Sequence, residues 1–598
     1  MSWFRKCIKT YDDHIHLVGK KIEGMDFPLT PLFFISQKIQ IEITISESGE
    51  FVSARLLDDE SSLIPVTEKS GSRSSGIAAH PLCDNLGYIA LHRIDPAYQE
   101  KFEDYKREIG AWADSDHTHP IVQAVYRYIS SQSVYENLLS CGVIAKDADV
   151  KKTEKFFVRF SVAYEDGTIE NCTTCRELFD AYEAYVSSQM TDADCSLCYV
   201  TGEVLPIATN HPKGILNLAY GAKLVSTNDN TNYTYRGRFS AGEEALTIGA
   251  VATQKAHNAL RWVLANQRYV CGNRVFVVWN TERIDMPKPL CLEVEDDEEE
   301  CFPTTKPEYV EKLRNFLVGK TASLSPSDPG IQIMAFQSAT TGRLSVTYYN
   351  ELTYDRYIQR IADWYGDCSW YTVRNKKELI SSPMPIKIVK FAFGTQQGAF
   401  VDLKADGLSD QIQTVFHSII DGANFPAHIR RALFEKCTFR QAYSDVNYHE
   451  LLFITCAVLN KYYKETNKEI KMELDNQERN RSYLFGRILA IAERVERSAY
   501  AQDEQGREPS AVRLWSAFVQ HPMTTWKNLE QALIPYYQKL KPGSRAYYKN
   551  LIAEVVALFR EEDMPNMNRQ LDEMYLIGYY LQRRDFYQNK KQAIEEEE

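Results

Sequence analysis

No window of eighteen apolar residues occurs anywhere in the 598-residue chain, so no segment is built as a bilayer-spanning helix. The opening stretch MSWFRKCIKTYDDHIH mixes charges with aromatics and lacks the apolar core of a secretion signal. Both absences predict a soluble, cytoplasmic protein. Positive charge is also in deficit: 69 Lys and Arg face 81 Asp and Glu, a formal net charge of −12. A free-standing, sequence-indifferent DNA binder is normally basic. Any nucleic-acid contact here must therefore be local, with other chains supplying the wider positive field. Thirteen cysteines are too few for a disulfide framework at this length. A P-loop, a GxSxG elbow, the kinase motif set and a solenoid-period repeat are all missing.

What is present is enough apolar material for several cores. Hydrophobic residues make up 44% of the chain and aromatics 12%, with 36 tyrosines. The length predicts about three or four domains, and the patterning predicts an α+β fold. A mixed α/β N-terminal region with antiparallel hairpins is followed by a C-terminal all-α helical bundle. IQIEITI sets Ile39, Ile41, Ile43 and Ile45 on one strand face, and FVSARLL returns after a Ser-Glu-Ser-Gly turn. NRVFVVWN reads as a strand buried on both faces. The expected regions are 1–150, 151–292, an acidic linker 293–305 (EVEDDEEE), a mixed region 306–410 and a helical region 411–598. In YLFGRILAIAERVERSAYA, the residues Leu484, Ile488, Ile491 and Val495 form one stripe, with Arg487, Glu493, Arg494 and Arg497 off it.

Three patterns carry chemistry. Cys172-x-x-Cys175 and Cys195-x-x-Cys198, with nineteen residues between them, have the spacing of a four-thiolate structural zinc site with no open position. His14/His16 and His117/His119 form HxH pairs; in a strand such a pair can ligate a catalytic metal. On that pattern the alternative reading is a zinc-dependent nucleic-acid hydrolase. SGSRSSGIAAHPLCDN presents Arg73 among glycines and serines. Gly76 permits close backbone approach, Ser72, Ser74 and Ser75 offer hydroxyls and amides to phosphate, and Arg73 and Asn85 can bond base edges. Gln396 and Gln397 sit on a glycine-bracketed tip suited to touching or wedging a duplex.

SRSSGIAAHPLCDNLGYI, CYVTGEVLPIATNHPKGI, VFVVWN, GRLSVTYYNEL, DGANFPAHI and LIGYYLQR occur in that order across nearly the whole chain. As an ordered set they resemble the large subunit of the type I-C CRISPR surveillance complex, Cascade. The resemblance implies a non-enzymatic subunit that needs no catalytic cofactor. It reads the protospacer-adjacent motif on double-stranded DNA, helps open the duplex, holds the R-loop and recruits a separate nuclease-helicase. Implied partners are crRNA, repeated backbone subunits, a crRNA-processing subunit and a small subunit. Arg73, Ser75, Gly76 and Asn85 match family positions in the motif-reading stretch. Lys213, Gly214, Arg236 and Arg238 are expected to meet guide RNA or a neighbouring subunit, and Arg481, Arg487, Arg494 and Arg497 the displaced strand. The family's small subunit typically arises from an internal start. Met472 is so placed, and residues 472–598 make a bundle-sized product.

Overall fold

The computed structural model describes residues 3–20, 25, 27–73, 76–146, 149–190, 195–226, 238–292, 303–320, 330–374, 377–501 and 506–595. The fold is α+β, in two compact units: residues 1–286 with 329–352, and residues 287–328 with 353–598. Most of the expected acidic linker lies outside the described residues.

The first unit opens with helix α1 (Trp3–Asp13), followed by strands β1 (Phe34–Ser46) and β2 (Phe51–Pro65). The alternation of IQIEITI does what its period demands: Ile39, Ile41, Ile43 and Ile45 are all buried, and β1 pairs antiparallel with β2. The opposite face of β1 is not wholly wet. Glu42 is buried as well, and accepts from Arg159 Nε at 2.8 Å and from Ser161. A long crossover holds α2 (Gln99–Ala113) and α3 (Pro120–Ser130). It returns the chain as β3 (Val158–Ala163), which runs parallel to β1, with Ile41 opposite Val158. Hairpins alone therefore do not describe this sheet. Short β4 (Ile169–Asn171) closes the order β2-β1-β3-β4 and leads into α4 (Arg176–Met190).

A two-stranded ribbon, β5 (Cys195–Leu197) and β6 (Val204–Pro206), precedes the buried helix α5 (Ala250–Gln267). The second sheet has the order β10-β9-β8-β7, from β7 (Tyr269–Cys271), β8 (Arg274–Trp279), β9 (Ile331–Thr340) and β10 (Arg343–Leu352). VFVVW in β8 is buried throughout, as its unbroken apolar run requires. The hairpin β9–β10, which the sequence groups with 306–410, completes this sheet and belongs to the first unit.

The second unit begins with α6 (Lys306–Lys320), whose first turn is capped by Glu308 accepting from the Thr304 and Thr305 amides. Next come α7 (Tyr354–Asp367) and two small ribbons, β11 (Trp370–Arg374) with β12 (Lys377–Ser381) and β13 (Thr395–Gln397) with β14 (Phe400–Asp402); α8 (Pro385–Phe393) separates them. Helices α9 (Ala405–Ile420), α10 (Ala427–Thr438) and α11 (Asp445–Glu465) follow. The terminal bundle is α12 (Arg481–Ala499), α13 (Trp515–Gln520), α14 (Pro522–Lys539), α15 (Pro542–Val556) and α16 (Met574–Glu595). The stripe Leu484, Ile488, Ile491 and Val495 is buried as its spacing predicts, but Arg487, Glu493 and Glu496 are buried too. Helix α12 is enclosed by its neighbours on nearly every side, so polar residues that one-sided periodicity assigns to solvent are paired inside.

Candidate nucleic-acid interface

The loop after β2 is shaped by its own hydrogen bonds. Thr67 caps a single helical turn, Glu68–Gly71, through reciprocal bonds with Ser70. Ser72 donates its hydroxyl to Glu68 O at 2.7 Å. Arg73 then folds inward. Its guanidinium forks onto Asp84, Nη1 to Oδ2 at 3.0 Å and Nη2 to Oδ1 at 2.9 Å, and also donates to Ala78 O at 2.8 Å. The same group lies 4.5 Å from the centre of the Tyr88 ring. Asp84 is fully buried and accepts from the His80 and Asn85 amides as well. Every hydrogen-bonding direction of this carboxylate is turned on the loop. In this structure Arg73 is thus a clamp across residues 73–84, and it does not project as a free finger.

What the clamp leaves open is the segment it spans. Gly76 has φ +81 and empty space beyond its Cα, and Ile77 beside it is exposed. Ser74 and Ser75 lie outside the described residues. Asn85 begins a helical turn, Leu86–Ile89, without capping it through its side chain.

Beneath the loop lies a cation cluster. Lys213, in the HPKG segment, donates to Arg73 O at 2.7 Å and Ser72 O at 3.3 Å. Lys213 and Lys223 form an isolated antiparallel bridge, and Arg261 of α5 donates to Lys213 O. Lys223 donates to Asn210. Gly214 turns the chain at φ +73. None of Lys213, Lys223 and Arg261 has an ion-pair partner among the described residues. Burial lowers the Lys213 ammonium below its ordinary value, and the charges of Lys223 and Arg73 lower it further. Burial lowers Lys223 as well, and brings Arg261 down to about 10. The nearby histidines add no charge at neutral pH, because burial drives His80 and His211 down to about 4. Glu68 offsets part of the charge on Lys223, but a cluster with no direct ion pair still favours an incoming anion. Arg238 is exposed beside Phe239, and Arg236 lies outside the described residues.

The second unit holds a cavity of about 580 Å³ lined by Arg494, Arg497, Arg583, Arg584, Tyr580 and Tyr587, among others. Arg584 forks onto Glu378 at 2.8 and 3.1 Å over the Tyr371 ring, and Arg497 pairs with Glu493 at 2.8 Å. Arg583 donates to His449 and Tyr579. Burial opposes ionisation of Glu493, but Arg583, the Tyr579 hydroxyl and Arg497 outweigh it and hold the carboxyl below its ordinary range. Arg494 has no hydrogen bond or ion pair among the described residues, and its Nε is buried and unpartnered. Of the four arginines expected at the displaced strand, Arg494 and Arg497 face this cavity. The other two hold the bundle together. Arg487 is buried and bonds Gln582 and Asn476, while Arg481 donates to the carbonyls of Arg569 and Gln570. On the hairpin tip, Gln396 accepts from the Ser444 amide at 2.7 Å, which leaves Gln397 exposed. Phe400 stands beside it, 75% exposed.

The four cysteines of the double CxxC do not gather. Cys172 is buried with its sulfur 3.5 Å from that of Cys83. Cys195 is exposed on β5. Cys198 closes its own turn: burial would raise its pKa, but donation from Thr201 and from the Gly249 amide lowers it. The HxH pairs lie in turns, not strands. His14 is buried against Thr10 O at 2.9 Å, and His16 lies within a short helical turn. His117 is exposed, and His119 caps α3. One histidine and one cysteine from these two patterns do meet: His119 and Cys175, with Glu170.

Against this geometry, the model of the CRISPR-associated protein family Cas_Csd1 matches residues 9–587. The chain belongs to that family. Csd1 is the large subunit of type I-C CRISPR systems, as the ordered motifs imply. No curated protein matches the chain. No helix among the described residues is long and apolar enough to cross a membrane.

Several residues of the interface are invisible to motif reading. Asp84 has a sequence signal, an acid eleven residues from the arginine in the same loop. Arg583 ends the LIGYYLQR motif, whereas Lys223, Arg261 and Arg584 have no such signal, because only the fold brings them to their sites.

Proposed function

We propose that this Csd1 chain is the non-catalytic, DNA-sensing subunit of a crRNA-guided complex. It inspects the protospacer-adjacent motif of duplex DNA with the loop 72–85, and holds the adjacent backbone on Lys213 and Lys223. The observation that carries this reading is Lys213, fixed to the carbonyls of Ser72 and Arg73 and bridged through its backbone to Lys223, with neither lysine in an ion pair among the described residues. Phosphate bound there lies beside the open segment at Gly76, which is free to meet a groove. Phosphate contacts set position and loop contacts set preference. The cavity bearing Arg494 and Arg497 serves the displaced strand, with the guanidiniums on phosphate and the exposed Tyr587 as a stacking surface. Gln397 and Phe400 serve as the wedge that helps open the duplex. Guide pairing reads the remaining sequence, and a separate nuclease-helicase cuts. Backbone subunits, the crRNA-processing subunit and a small subunit complete the assembly.

Binding of the reconstituted complex to duplexes with permuted flanking motifs tests the proposal. Arg73→Ala is expected to weaken binding and flatten motif preference. Asp84→Asn is expected to do the same, because it opens the same clamp. If Arg73 reads bases itself, Asp84→Asn will leave preference intact. If both variants keep full preference, the loop is not the reader.

A further inference from the structure

Three donors of different chemistry converge at the end of the first sheet. Glu170 lies on β4, whose backbone register against β3 is fixed by pairing with Val162. Asn171 then folds the chain back on itself. Its side chain accepts from the Thr173 amide and hydroxyl at 2.8 and 2.6 Å, and its carbonyl accepts from the Cys175 amide at 3.1 Å. That turn sets Cys175 beside Glu170, just ahead of α4. His119 arrives from the N-terminus of α3. The side-chain ligand atoms of His119, Glu170 and Cys175 all lie within 4.8 Å of one another. No other grouping of three or more such donors occurs among the described residues.

We propose that His119, Glu170 and Cys175 form a zinc site. One distance supports it: His119 Nε2 is 3.8 Å from Cys175 Sγ. Ligands on one tetrahedral zinc sit about 3.5 Å apart, given Zn–S near 2.3 Å and Zn–N near 2.0 Å. The separation is long for a hydrogen bond and close to that of a ligand shell. Glu177 stands near the sulfur, with Oε2 at 3.8 Å, but outside this set of mutually close donors, so the fourth position is left to water. Glu170 already has an outer partner, accepting from the Tyr164 hydroxyl at 2.9 Å. Cys175 is buried, while His119 and Glu170 are half-buried, so an ion can reach the site from solvent.

Coordination changes two bonds. The Cys175 S–H bond is replaced by S–Zn and its proton passes to solvent. The His119 proton must sit on Nδ1 so that Nε2 can bind. Nδ1 then gives up its contact with the Ile121 amide, which at 3.3 Å is a long cap. The site is independent of the DNA-reading proposal, and it differs from a four-thiolate knuckle in keeping only one of the four cysteines.

The test uses the full chain, stripped with chelator and titrated with Zn²⁺ and with Co²⁺. Bound metal is measured by atomic emission, and cobalt is followed by its thiolate charge-transfer absorption. One equivalent is expected in the unsubstituted chain. Cys175→Ser is expected to abolish the thiolate band. Glu170→Gln and His119→Asn are expected to weaken affinity by about tenfold or more. Asn at position 119 still caps α3, and circular dichroism checks that each variant is folded. Cys195→Ser and His117→Asn should bind as the unsubstituted chain does. The proposal is overturned if the folded chain holds no metal above background. It also fails if the thiolate band survives Cys175→Ser, or if metal is lost with Cys195→Ser.

Discussion

Asp84 shows how much one carboxylate can organise. It has no exposed surface, and the Arg73 side chain paired with it is only 15% exposed. Removing one partner of a buried, hydrogen-bonded pair typically costs about 3–5 kcal/mol. Arg73→Ala should therefore lower the stability of the first unit by about 3 kcal/mol, read as a shifted denaturant midpoint. Buried histidines add a pH dependence. Burial holds His80 and His211 at about 4 and His257 at about 3, below the ordinary value of 6.5. The unfolded chain binds more protons than the folded one between those values. Stability is then complete above pH 6.5 and falls as pH drops toward 4. Each histidine should remove about 1 kcal/mol between pH 7 and pH 5.5. Urea midpoints across that range check this, and a flat profile would contradict it. At this scale the sequence was legible in part. The sequence marks Arg73, Lys213, Arg494 and Arg497 as candidates, and Asp84 beside Arg73, but the contacts of Lys213 depend on Lys223 and Arg261, which only folding brings to it.

Helix α12 and helix α16 cross where both are glycine. A Cβ on Gly486 would lie 2.0 Å from Tyr575 O, and one on Gly578 would lie 2.1 Å from Tyr483 O. In an exposed helix interior, Gly→Ala stabilises by about 1 kcal/mol. Here the backbones touch, so Gly486→Ala and Gly578→Ala should each destabilise by about 2–3 kcal/mol, through overpacking. The opposite sign in thermal melts would rule out the crossing. This level was the most legible. The alternating isoleucines of β1, the unbroken run of β8 and the stripe of α12 all sit where their periods place them. The parallel pairing of β1 with β3 was not legible, because periodicity fixes a strand's face and not its neighbour. The all-round burial of α12 was missed for a related reason: Arg487 and Glu493 are paired with partners distant in the chain.

On the scale of the whole molecule, Met472 lies in the stretch between α11 and α12, half-buried and outside any helix. Initiation there would release the terminal bundle as a separate chain. Such a product would carry Trp515 and Tyr575 without the surfaces that now flank them, Tyr448 and Phe434. We expect Met472→Leu to eliminate a short product seen on immunoblots of the expressed gene. An undiminished short band would exclude the start. Charge is the other feature of the whole molecule. The chain has a net charge of −12, so under the proposed function Lys213 and Lys223 make a local contact and companion subunits supply the wider positive field. The most direct measurement of this account is the salt dependence of duplex binding by the reconstituted complex, with and without Lys213→Ala plus Lys223→Ala. The account predicts weaker binding to every flanking sequence, and a log–log salt slope shallower by about 2. Unchanged affinity and an unchanged slope would contradict it.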